Sequence, residues 1–156
     1  MEKEFIPYEQ ALALKELGFN EECIASYDNK GNFKDPFDYN SEETDGYVTN
    51  SSLKDPKNFN ASSNPTLLKD YLDNPFTTAL LKQQAFRWFR EEYGLDGVSF
   101  YNYTGYMWNI VDVKNSNVTK NVTIQEDDMQ QYSSKEEAEL ACLKKLIEIV
   151  EQKNEN

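Results

Sequence analysis

The chain has 156 residues, 16 Lys and Arg against 28 Asp and Glu, a net charge of −12, no histidine and two cysteines. The charge argues against nucleic-acid binding through phosphate neutralisation and against attraction to an anionic membrane surface. The missing imidazole excludes Ser-His-Asp and Cys-His catalysis and any His-containing zinc site. The length fits a single domain. Mean hydropathy is low at −0.80, but 13% of residues are aromatic, so a folded core is expected rather than an acidic disordered chain.

The start, Met1-Glu2-Lys3-Glu4-Phe5, has neither the basic nor the apolar region of a leader, and no stretch approaches a membrane span. Cys23 and Cys142 sit in apolar runs and read as free thiols of a reduced compartment. With secretion not expected, the N-x-S/T triplets at Asn50, Asn60, Asn102, Asn117 and Asn121 carry no weight.

The first predicted helix runs from about Pro7 to Leu17. Proline suits a first turn, Gly18 supplies a left-handed stop, and Phe19 falls where a Schellman cap touches Leu14. Cys23–Tyr27 reads as a short strand ended by the turn Asp28-Asn29-Lys30-Gly31. From Lys34 to Asn74 no period survives. Pro36, Pro56 and Pro65 punctuate an Asn/Asp/Ser-rich stretch, and residues 35–75 carry three Lys against eight acids. This segment is expected to be a mobile acidic insertion, with Thr66–Leu72 a short helical piece.

A second helix is predicted from about Phe76 to Tyr93, with Ala79, Phe86, Phe89 and Tyr93 on one face and Gly94-Leu95 as its stop. Val98–Tyr103 and Tyr106–Val113 read as strands about Gly105. Val118, Val122 and Ile124 alternate with polar residues as a third strand. Ser134-Lys135-Glu136-Glu137 is a capping box. The helix behind it carries Leu140, Leu143, Leu146, Ile147 and Val150 as an apolar stripe flanked by Cys142 and Ile149, and residues 153–156 are expected to fray. The predicted fold is α+β: a small antiparallel sheet with three helices packed on it, in one domain with a long insertion.

The charge is uneven. Residues 76–114 hold four charges of each sign, both tryptophans, the only two arginines and 10 of the 21 aromatics. Arg87, Arg90 and Gln83 share a helix face, and Trp88, Tyr101, Tyr103, Tyr106 and Trp108 lie on or next to it. Arginine and aromatics dominate binding hot spots, which makes these eight residues the candidate binding surface. The competing reading assigns the aromatics to the core, pairs Arg87 with Glu91, and lets the stem of Arg90 lie along apolar surface.

No residue is assigned a catalytic or metal-binding role, and no cofactor is expected. Asp28-Asn29-Lys30-Gly31-Asn32 fails the calcium-loop pattern. Phosphate-loop, dinucleotide and nucleophile-elbow motifs are missing. A carboxylate- or metal-dependent hydrolase would need acids to converge from separate elements, with Glu91, Glu92 and Asp112 as the candidates. An acidic nucleic-acid mimic is a further alternative, at one net negative charge per 13 residues (156/12).

Three stretches form a further pattern: Phe5-Ile6-Pro7-Tyr8-Glu9-Gln10-Ala11 with Leu17-Gly18-Phe19, Gln84–Glu91 with Tyr93-Gly94-Leu95, and Glu136–Val150. Together they resemble a group of short, mostly uncharacterised proteins of tailed bacteriophages and prophages. The resemblance covers roughly half the chain and brings no catalytic residues with it. It implies a phage-encoded protein of the host bacterial cytoplasm. The expected function is a non-enzymatic binding protein, acting as a counter-defence inhibitor of a host protein or as a trap for a small nucleotide ligand. A virion component is the alternative, and the oligomeric state is left open.

Overall fold

A computed structural model of the chain describes residues 2–34, 47–54, 76–114, 122–124 and 130–155. The fold class is α+β, as expected. The described strands form two three-stranded antiparallel sheets rather than one, and the chain gathers into two compact units, Met1–Lys82 and Gln83–Asn156.

In the first unit, helix α1 (Tyr8–Glu16) follows Pro7, whose extended backbone makes it the N-cap, one position before the predicted first turn. The helix ends in the expected Schellman motif. Gly18 has φ +97°, its N–H bonds the Lys15 carbonyl at 3.1 Å, and the Phe19 N–H bonds that of Leu14 at 2.9 Å. Strand β1 (Ala25–Tyr27) is central, flanked by β2 (Phe33–Lys34) and β3 (Thr77–Ala79). The turn between β1 and β2 is held by Asp28. Its carboxylate accepts from the Lys30 N–H at 2.8 Å, the Asn32 N–H at 2.9 Å and the Asn32 side chain at 2.9 Å.

Strand β3 corrects the expectation that a helix starts at Phe76. Thr77 and Thr78 are β-branched, and all three residues pair with β1 in the register Tyr27↔Thr77, Ser26↔Thr78 and Ala25↔Ala79. The helical period therefore begins only at Lys82. A second difference falls within the 34–74 stretch. Of that insertion the structure describes Lys34 and Tyr47–Lys54, and the latter are tied into the core. Val48 exchanges two 2.8 Å backbone bonds with Cys23, and Leu53 is fully enclosed. Asn50 is buried: its amide donates to the Phe19 carbonyl at 2.8 Å, while its oxygen accepts from the Thr78 N–H at 3.0 Å and the Thr77 hydroxyl at 3.2 Å. The predicted helical piece Thr66–Leu72 lies outside the described residues.

In the second unit, α2 (Lys82–Trp88) runs into a π-helical turn, Phe89–Tyr93, which Gly94 ends with φ +69°. The wider turn lets residues five apart meet. Trp88 and Tyr93 pack edge to face with centroids 5.3 Å apart, and Trp88 and Phe89 at 5.2 Å. Strands β4 (Leu95–Asn102) and β5 (Gly105–Asp112) form a hairpin closed by Tyr103-Thr104, and β6 (Val122–Ile124) pairs with β5. Here too the boundary differs, because β4 starts three residues earlier than the aromatic pattern suggested. Val118 lies outside the described residues.

Helix α3 (Lys135–Glu155) covers one face of β4 and β5. Its cap is the predicted Ser134, with the reciprocal arm moved by one residue. The Ser134 hydroxyl accepts the Glu137 N–H at 3.2 Å, but the Glu137 carboxylate reaches back to the N–H and hydroxyl of Ser133, at 3.1 and 2.7 Å. The buried stripe is Ala138, Cys142, Leu143, Leu146, Ile147 and Val150, so Cys142 sits at its centre, and Leu140 and Ile149 take the borders. The helix also continues to Glu155, past the expected point of fraying. Lys153 in its last turn lies 3.9 Å from the buried carboxylate of Asp112.

Gly97 lets α3 approach. A Cβ there would lie 2.9 Å from Cys142 Sγ and 3.0 Å from both Leu146 Cδ1 and Phe86 Cε1. Enclosure, together with the charges of Glu139 and Asp96, pushes the Cys142 thiol up to about 12, so it packs as a small apolar group.

Two outcomes follow. Gly97→Ala forces α3 off the sheet and is expected to lower unfolding free energy by about 1–3 kcal/mol in urea titration. The bonds from Ser133 hold the Glu137 carboxyl below its ordinary 4.5. Their stabilisation is therefore present above that value and lost as pH falls through the lower folded-state one, so Glu137→Gln should flatten the acid limb of a stability–pH curve and leave the neutral-to-basic limb parallel to wild type.

Candidate interaction surface

Strand alternation sorts the hairpin into two faces. The register Leu95↔Asp112, Gly97↔Ile110, Ser99↔Trp108 and Tyr101↔Tyr106 places these residues on the face that α3 covers. The opposite face carries Val98, Phe100, Met107 and Val111, among which Val98 and Phe100 are exposed. Past the end of α3's coverage the hairpin turns wet. Tyr101 is 64% exposed and Tyr103, in the turn, is fully exposed at 102%. The Tyr101 and Tyr106 rings meet edge to face at 5.2 Å, and in the turn Asn102 Oδ1 accepts from the hydroxyl of Thr104 at 2.8 Å. Gln131 donates to the same hydroxyl at 2.6 Å.

The eight residues singled out in the sequence do not form one surface. Trp88 and Trp108 are each only 6% exposed. Trp108 directs its indole N–H at the Tyr132 hydroxyl, 3.4 Å away, and Trp88 is enclosed by Phe89 and Tyr93. Neither tryptophan can serve as a stacking platform, because both rings are buried. Gln83, Arg87 and Arg90 are exposed. The two guanidinium groups go to different carboxylates, Arg87 to Glu91 at 4.0 Å and Arg90 to Asp96 at 3.4 Å. Pairs this exposed contribute well under 1 kcal/mol.

Two of the acids weighed for hydrolysis are engaged separately: Glu91 pairs with Arg87 and Asp112 with Lys153. Among the described residues no three of His, Cys, Asp and Glu gather to hold a metal ion. The Tyr93 phenol is pushed above its ordinary 10 by burial and by Glu92, which keeps it protonated.

Sequence reasoning missed Val98 and Phe100, which it read only as strand formers, and Tyr132, which exchanges backbone bonds with Tyr106 at 3.0 and 2.8 Å. The alternation in Gly97–Asn102 could have signalled the first two. Nothing periodic marks Tyr132, since its place is set by a bridge to a residue 26 positions earlier.

The division between surface and core is measurable. Arg87→Ala and Arg90→Ala are each expected to change unfolding free energy by less than about 1 kcal/mol, whereas Trp88→Ala should cost about 3–5 kcal/mol; urea titration followed by far-UV dichroism checks both.

No protein-family model, curated protein or solved structure matches this chain.

Proposed function

We propose that the chain is a non-enzymatic binding protein that engages a host protein through the tyrosine-bearing end of the β4–β5 hairpin, in the setting that the phage-protein resemblance implies. The full exposure of Tyr103, with Tyr101 beside it, carries this reading. Tyrosine offers a large amphipathic contact at little entropic cost and is enriched at binding hot spots. A ring so exposed at a hairpin turn does not wall a cleft, which favours a macromolecular partner over a small nucleotide. Burial of both tryptophans removes two of the rings on which a base would stack. With a net charge of −12, the complementary partner presents a basic face, and association is steered by that charge. Obstructing a component of host defence is the task such a surface would serve.

Affinity purification of the tagged chain from infected cells tests the reading. A discrete bacterial protein should be recovered with wild type and reduced at least about tenfold with the Tyr101→Ser/Tyr103→Ser double variant. Equal recovery with a variant of unchanged dichroism overturns the assignment. Calorimetry against cyclic nucleotides and ADP-ribose should show no heat, and micromolar binding would move the function to ligand sequestration.

A further inference from the structure

We propose that the outer edge of β4 is a self-association site, at which a second copy of this chain adds its own β4 antiparallel and joins two three-stranded sheets into one. In the order β4-β5-β6, strand β4 has a neighbour on one side only among the described residues. The two-residue turn Tyr103-Thr104 makes Asn102 and Gly105 a hydrogen-bonded pair, so Phe100, Val98 and Asp96 also direct their backbone groups to β5. The opposite phase is visible on β5. Tyr106, across from Tyr101, turns its N–H and C=O away from β4 and bonds Tyr132. Gly97, Ser99 and Tyr101 therefore aim their backbone groups outward. Among the described residues no backbone bond meets them, and none of the three is buried.

Natural sheets protect such an edge with lysine, proline or a bulge. From Gly97 to Asn102 there is no charged residue and no proline, and the pairing with β5 runs through all eight positions of β4 without interruption. Among the described residues nothing guards this edge, and Val98 and Phe100 beside it are exposed.

The sequence of β4 selects its own copy as the occupant. With a twofold axis at Ser99, the outward-facing Gly97 and Tyr101 of one chain meet Tyr101 and Gly97 of the other in hydrogen-bonding phase. On the face away from α3 Val98 then lies opposite Phe100 of the second copy, twice, which covers the two exposed apolar side chains there. Asp96, the acid within β4, falls opposite the neutral Asn102 rather than another acid. The remaining charge, −12 on each copy, opposes the encounter. Screening should therefore strengthen the dimer as salt rises, the reverse of what a basic partner would show.

Sedimentation velocity of the full chain from about 1 to 200 µM should show a reversible monomer–dimer equilibrium that shifts toward dimer with added salt. Ser99→Pro removes an outward N–H and keeps the β5 ladder, and Phe100→Lys places a charge at the apolar contact. Both should stay monomeric with unchanged dichroism, and the second variant serves if the first fails to fold. Ser99→Cys should form a disulfide-linked dimer under mild oxidation. Tyr103→Cys should not, because the two copies of that residue would stand about 27 Å apart along the strands. A wild-type monomer throughout the concentration range overturns the proposal, as does a dimer that persists in a folded Phe100→Lys variant.

Discussion

The contact between α3 and the β4–β5 hairpin depends on a missing side chain. At Gly97 the helix comes so close that even a methyl group would press on Cys142, Leu146 and Phe86. Much of the second unit follows from that approach. It places Leu95, Trp108 and Ile110 under the helix, and it brings Lys153, in the last turn, to the buried carboxylate of Asp112. It also encloses Cys142, whose thiol then behaves as packing material. α3 covers one face of the hairpin, and among the described residues no further strand pairs with the outer edge of β4; that edge and the tyrosine-bearing end are where the two proposals lie.

The first unit is held by a different device, a buried amide. Asn50 links the residue after the α1 stop to the start of β3 through three hydrogen bonds. Each replaces a bond to water with one inside the core, and together they leave neither Phe19 nor Thr78 with an unmet backbone group at this point. A segment rich in Asn, Ser and Asp thus serves as structural material. Its polarity, which marks it as loop in the sequence, is what allows it to satisfy the ends of a helix and a strand at once.

Exposure of aromatic and β-branched residues on β4 is a cost the fold itself does not require. Val98, Phe100, Tyr101 and Tyr103 could be polar without disturbing the packing under α3, since they lie on the face away from it, beyond the helix or in the turn. Their chemistry suits contact with another molecule better than it suits stability. Backbone groups of the strand edge suit association with a strand, and the tyrosines at the turn suit a separate partner, so the two proposals use neighbouring but different atoms.

Several elements could be read from the sequence because their signals are local. The Pro7 start and Gly18-Phe19 stop of α1, the Ser134 cap, the apolar stripe of α3 and the paired aromatic strands all depend on residues within a turn or two of one another, as does the α+β class built from them. Other outcomes depended on distant partners. Thr77–Ala79 became a strand because β1 offered it bonds, and Tyr47–Lys54 joined the core because Cys23 and Phe19 did the same. Trp88 and Trp108, which composition alone would place on a binding surface as readily as in a core, were buried by a π turn and by α3. Arg87 and Arg90 share a helix face in the sequence, but each found its own carboxylate. Periodicity determines which side of an element is apolar, and only the tertiary structure decides what comes to cover that side and which edge remains open.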